Sequence, residues 1–327
     1  LWNAVRVWPL SGYDGVGHAA YALIVLLDGR LPHPMEGWST FHPPLYYLLL
    51  ATLWTGTSWI GPVAQLFLGR LLSIVAMALT ARVLFRLLVE RGAGAVVASA
   101  TLALALFLPA TQLAATTLGN EALGVAFASL ALPPILALQR DPTDGRQAVR
   151  AGLFVGLALA TKFTGLFVVG AALAPFARRG LGRGAWRAAA LGLLAASVVA
   201  GPVYLRNVWL TGSPVPMTRD EGVVAANEAP FVVRDREIGD YLGFPLEVLR
   251  FPSIAPRPAT GDAPRREALN ESLVHVWGSA YVSLWWDTYM RRIPVHGHGI
   301  REQAHWGLSL IHISEPTRPA PLSRMPS

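Results

Sequence analysis

The chain has no cysteine, which excludes disulfides and thiolate metal sites. It also nearly lacks lysine: of its 27 basic residues, 26 are arginine and one, Lys162, is lysine. Charged residues make up 14% of the 327 positions and hydrophobic ones 53%, against roughly 25% charge in an ordinary soluble domain. So little charge over so much apolar length excludes a soluble globular protein and predicts an integral membrane protein. The formal net charge of +7 does not signal nucleic acid. The arginines lie between apolar runs, as in cytoplasmic loops of membrane proteins, and no basic patch interleaved with aromatics occurs.

The ends lack familiar marks. The chain opens at Leu1 with neither Met nor a signal-peptide pattern. The segment LSLIHISEPTR (308–318) resembles a translated transposon-type sequencing adapter. A piece of a longer membrane protein is therefore expected, with 308–327 foreign to its fold.

Apolar runs suitable for spans occur near 66–89, 94–117, 121–139, 150–161, 163–177 and 187–209, where a full crossing needs about 20 residues. The stretch PPLYYLLLATLW (43–54) is too short to cross. It reads as a juxtamembrane helix, with Trp54 and Trp59 at the interface. Three arginine clusters set the sides: Arg82, Arg86 and Arg91; Arg140, Arg146 and Arg150; and Arg178, Arg179, Arg183 and Arg187. With all three in the cytoplasm the spans alternate without conflict. The expected fold is all-α, a polytopic transmembrane helix bundle: a first outer loop with juxtamembrane helices over 1–65, about six spans over 66–209, and an outer loop over 210–307. That last loop is Pro-rich from Thr211 to His275 and ends in an interfacial helix near 276–290.

Lys162 stands inside GLALATKFTGLFVVGAALAP (156–175). A charge at mid-bilayer costs about 2.5–3.5 kcal/mol, so an intramembrane lysine is a functional hypothesis in need of a partner. The topology gathers other polar groups on its side: Asp14, His18, His42 of FHPP, Asn120 and Glu121 of TTLGNEAL, and Arg206–Asn207 of YLRNVWLTGSPVP. A carboxylate there can take a proton from an acceptor hydroxyl or amine. Cations can hold a phosphate that leaves with negative charge, Lys as a point charge and Arg as a fork.

GYDGVGHAAYALIVLLDGRLP followed by FHPPLYYLLLATLW resembles the first outer loop of the GT-C-fold glycosyltransferases. That family includes the protein O-mannosyltransferases and the bacterial aminoarabinose transferases of lipid A, the family 39 type. GLALATKFTG and YLRNVWLTGSPVP are similar to two later segments of the family, and the four together cover roughly residues 11–216. The resemblance implies an inverting membrane enzyme that moves a sugar from a polyprenyl-phosphate carrier to a protein, lipid or glycan acceptor, on the outer face of a bacterial plasma (inner) membrane. It implies Asp14 as general base and Glu121 at the second acidic position. His18, His42, Asn120, Lys162 and Arg206 fall on or beside substrate-binding segments. Two departures stand out: Gly15 follows Asp14 where many relatives carry Glu, and Glu121 replaces an Asp.

Each residue also has a structural role open to it. Asp14 can cap a helix, Glu121 can complement a helix N-terminus, Lys162 can snorkel, and Arg206 and Arg70 can anchor or snorkel at span ends. His18 can be polar lining. Asp14, His18, His33, Glu36 and His42 have metal-ligand side chains without tight ligand spacing, as does HGHG (296–299), so no metal site is assigned. The alternative function is a secondary transporter with a polar pathway around Lys162, where short helices meet. A scaffold subunit without chemistry is the third reading.

Overall fold

The structure, a computed structural model, describes residues 15–37, 39–177 and 182–216. Asp14, the loop and interfacial helix expected after 216, and the segment 308–327 lie outside the described residues. Within them every regular element is helical: α1 (Gly15–Asp28), α2 (Leu45–Gly56), α3 (Pro62–Glu90), α4 (Ala95–Phe107), α5 (Pro109–Thr116), α6 (Glu121–Arg140), α7 (Gly145–Thr161), α8 (Leu166–Leu173) and α9 (Arg183–Thr211).

Three of these, α3, α6 and α9, are long and apolar enough to cross a membrane. At 1.5 Å per residue even the shortest, the 20-residue α6, spans about 30 Å, the thickness of a hydrocarbon core. The other candidate runs are helical but shorter. The run 94–117 is broken at Leu108, whose backbone is extended (ψ 131°) because the following Pro109 disfavours the helical conformation. Helix α7 begins earlier than the apolar run suggested, at Gly145, because Asp144 caps it by accepting from the Arg146 and Gln147 amides. The run 163–177 forms only the eight-residue α8 between two 3₁₀ turns, Phe163–Gly165 and Ala174–Ala177.

The packing is inside-out relative to a water-soluble bundle. Helix α3 turns Gly69, Arg70, Ser73, Ala76, Met77 and Thr80 inward, one face at helical spacing. Its Leu71, Val75 and Leu79 point out. Helix α9 likewise buries alanines and exposes Leu193, Leu194, Val198, Leu205 and Trp209. Small residues inside and large apolar ones outside suit helices packed in lipid, where close backbone approach replaces the hydrophobic drive.

That approach is closest between α7 and α9. A Cβ on Gly152 would collide with the Gly192 backbone, and one on Gly156 would lie 2.8 Å from Val199 Cβ and 2.9 Å from the Ala196 carbonyl. Two apolar clusters result. One joins α1, α2, α3 and the start of α6, and the other joins the end of α6 to α7 and α9.

Trp54 belongs to the first cluster. It is 2% exposed, and its indole N–H donates to the Gln65 carbonyl at 2.8 Å, so it is a core residue and not the expected interfacial anchor. Trp59, 83% exposed, does face outward. Helix α2, 12 residues long, is too short to cross.

Candidate functional site

The site lies at the end of the bundle where α6 starts and α7 ends. Glu121 is the first residue of α6, where the helix dipole favours an anion. Thr161 ends α7, and the chain then turns extended at Lys162 (φ −153°, ψ 137°), freeing the lysine from the helix. Lys162 Nζ donates to Glu121 Oε1 at 2.6 Å. Gly124, one turn into α6, lies 3.7 Å from Lys162 Cβ by its own virtual Cβ, so a larger residue there would crowd the lysine stem. Lys162 and Glu121 side chains are 22% and 38% exposed, a half-buried pair. The lone lysine therefore has a named partner and does not simply snorkel.

Asn120 precedes Glu121 and is fully buried. Its amide donates to the Thr161 carbonyl at 3.2 Å, satisfying one of the acceptors left over at the end of α7 and fixing the two helix ends together. Its Oδ1 is buried with no partner among the described residues.

The loop after α1 supplies the opposite wall. Helix α1 ends at Asp28, and Gly29 takes the left-handed conformation (φ 63°) that favours glycine after a helix. Arg30 then grips Glu36 through two bonds of 2.7 and 2.6 Å. That fork, with the His33 amide, holds the Glu36 carboxyl down to about 2. The loop is also tied from α9: Arg206 Nη2 donates to the Leu31 and Pro32 carbonyls at 3.2 and 2.8 Å. Arg206 thus anchors the loop, with its guanidinium turned to peptide oxygens.

So held, the loop places His42 against His18 of α1, ring centroids 5.7 Å apart and stacked. His18 is buried, and its Nδ1 shares a 2.7 Å hydrogen bond with the Tyr47 hydroxyl. Tyr47 in turn stacks on Tyr21 at 3.8 Å. Burial pushes the His42 imidazole down to about 3, with the charges of His18 and Lys162 adding and Glu121 opposing. The ring is neutral at pH 7, and its Nδ1 is buried without a partner among the described residues. The Tyr46 phenol is pushed above its usual range by burial and by the nearby Glu121 charge.

The carboxylate closes the circle. A Cβ on Gly119 would stand 2.5 Å from Glu121 Oε2 and 3.6 Å from His18 Cδ2, so Gly119 leaves the room the carboxylate occupies beside the His18 ring. Four of the expected residues, His18, His42, Glu121 and Lys162, thus meet with Asn120 at one end of the bundle. Asp14 lies outside the described residues, and Arg206 sits behind the loop. Among the described residues no group of three metal-ligand side chains gathers.

Sequence reasoning missed Tyr46 and Tyr47, which read as ordinary members of an apolar stretch; their adjacency to the HPP turn was the available signal. It also cast Arg70 as a possible snorkelling residue, yet Arg70 is fully buried with its guanidinium 5.4 Å from the Phe67 ring. Its neighbours on α3 pack toward the loop that leads into Asn120: Ser73 donates to the Thr117 carbonyl at 3.2 Å.

A separate apolar cavity of about 250 Å³ runs between α7, α8 and α9. It reaches Leu159, one turn before Lys162, whose carbonyl accepts from the Tyr204 hydroxyl at 3.0 Å. Comparison with family models, with curated proteins and with solved structures returns no match.

Proposed function

We propose that this chain is a membrane glycosyltransferase of the GT-C type, moving a sugar from a polyprenyl-phosphate carrier to an acceptor at the Glu121–Lys162 end of the bundle. The observation that carries this reading is the meeting of a lysine, a carboxylate, two histidines and a buried asparagine, drawn from four separate stretches of chain, around Nδ1 and Oδ1 atoms that have no partner among the described residues. Buried polar atoms without partners are uncommon and are expected where a ligand or water completes the set.

In the proposed reaction the acceptor oxygen or nitrogen attacks the sugar C1 from the face opposite the carrier phosphate. The new bond to C1 forms as the C1–O bond to phosphate breaks, and the anomeric configuration inverts. The acceptor proton passes to the Asp14 carboxylate, and the bonding pair leaves on the carrier phosphate, whose added charge Lys162 offsets. Glu121 holds Lys162 in place and gives way as phosphate takes up the ammonium. Neutral His42 offers a ring nitrogen to the same group, and Arg206 keeps its loop seated. The apolar cavity beside Leu159 offers space for part of the carrier tail.

The test is transfer of a labelled sugar from polyprenyl phosphate by the chain in proteoliposomes. Asp14→Asn should abolish transfer while donor binding persists, and Lys162→Met should weaken donor binding. Full activity in Asp14→Asn removes Asp14 as base. One observation favours a second reading, a secondary transporter: the helix is interrupted at Lys162, as at the broken helices of transporter sites. Solute uptake that dies with Lys162→Met, with no sugar transfer, would decide for it.

A further inference from the structure

The opposite end of the bundle holds a second polar site, independent of the reading above. Helix α7 starts at Gly145 and α9 at Arg183, and between these starts opens a cleft of about 1030 Å³. It is lined by Arg146 and Arg150 of α7 and Arg187 of α9, with Gln147, Thr143 and Asp144 beside them. Since α7 runs 17 residues from this cleft to Thr161, the cleft lies about 25 Å along the helix from Lys162.

Three arginines line this cleft, all of them exposed. Arg146 and Arg150 are four residues apart and so share a helix face, where like charges repel, and Arg187 adds a third across the gap. No carboxylate among the described residues forms an ion pair with any of the three; the ion pairs present there involve Arg30 and Lys162. The one acid in the lining, Asp144, is committed to the α7 cap through the Arg146 and Gln147 amides at 2.9 and 3.1 Å. An anion seated in the cleft would feel the charge of all three arginines at once.

The surroundings set the depth. Trp186, next to Arg187, is 62% exposed, and tryptophan concentrates at the headgroup level of a bilayer. Leu191, one turn deeper on α9, lines the cleft and is itself exposed, so the floor turns apolar toward the lipid. Basic pockets beside membrane helices take lipid headgroups.

We propose that the Arg146–Arg150–Arg187 cleft binds the phosphate of an anionic glycerophospholipid in the leaflet at that end of the bundle, with the acyl chains descending past Leu191. Guanidinium forks suit the paired oxygens of a phosphodiester.

The experiment is lipid retention by the full chain. The protein is purified from mixed micelles holding equal phosphatidylglycerol and phosphatidylcholine, and the lipid that stays bound is quantified by mass spectrometry. Phosphatidylglycerol should be enriched on the order of a hundredfold by three arginines acting together. Each arginine near an anionic headgroup is worth about fivefold, so Arg146→Gln/Arg150→Gln/Arg187→Gln should remove the enrichment. Arg82→Gln/Arg86→Gln, two exposed arginines of α3 outside the cleft, should keep it. Should the triple variant fail to fold, the single exposed change Arg187→Gln must still cut retention several-fold. Equal retention of both lipids, or a triple variant that still enriches phosphatidylglycerol, overturns the proposal. So does an equal loss in the α3 variant, which would mark bulk charge. Displacement of the lipid by inorganic phosphate at comparable concentration would mark a free-anion site instead.

Discussion

Removing both members of the Glu121–Lys162 pair should cost less than the sum of removing each alone. At 2.6 Å the attraction between unit charges at an effective dielectric of 20 is about 6 kcal/mol before desolvation is subtracted. Exposed pairs return about 0–1 kcal/mol net, whereas stripping one partner from a fully buried pair costs about 3–5 kcal/mol. With side chains 22% and 38% exposed this pair lies between, so Lys162→Met or Glu121→Gln alone should lose about 2 kcal/mol. The double variant should lose less than the sum of the two, because neither charge is left stranded beside buried Asn120 and His18. The expected coupling is about 1–3 kcal/mol. Thermal unfolding of the purified chain in detergent, followed by tryptophan fluorescence, reads it. In a 327-residue chain, a loss of about 2 kcal/mol should lower Tm by roughly 3 °C. Strict additivity of the two single changes would sink the reasoning, since it would mean the two groups do not feel each other.

Three further outcomes follow from the same geometry. His42, held down to about 3 from 6.5, stays neutral in the fold while its unfolded counterpart takes up a proton below pH 6.5. Stability should therefore fall as pH drops through 6.5, by about 2 kcal/mol at about pH 5. Glu36, displaced from 4.5 to about 2, loses its contribution only below about 4.5. A pH series between 5 and 7 on the protein and on His42→Gln isolates the histidine, and an unchanged slope in the variant refutes its role. Gly152→Leu should separate α7 from α9 and cost about 3 kcal/mol or more, whereas Gly201→Ala, with no atom within 4 Å of its virtual Cβ, should be nearly neutral; size-exclusion profiles and Tm distinguish them. Arg206→Ala removes two charge-assisted bonds to the loop after α1 and should cost about 1.5–3 kcal/mol. Faster amide exchange over residues 29–44 is the signature, and unaltered exchange would show that the loop is held elsewhere.

Much of the architecture was legible in residue order because its causes are local. Apolar length marks α3, α6 and α9, and charge scarcity marks the solvent they need. Pro109 breaks the second run and Asp144 starts α7 through neighbours only two or three positions away, local causes that reading one run over 94–117 and another from 150 passed over. The ingredients of the site were legible too, since a lone lysine in an apolar run and an HPP turn before a short helix are visible without coordinates. Their pairing was not. Glu121 and Lys162 are 41 residues apart and His18 and Tyr47 are 29 apart, and no periodicity carries the register of one helix against another. That register comes from Gly152 and Gly156 meeting α9 and from Asn120 reaching the Thr161 carbonyl. The burial of Arg70 and Trp54 had the same origin. By itself the amino-acid order determined which segments are helical and which face lipid; only the packed bundle decided which charges meet, because that depends on how closely small residues let the helices approach.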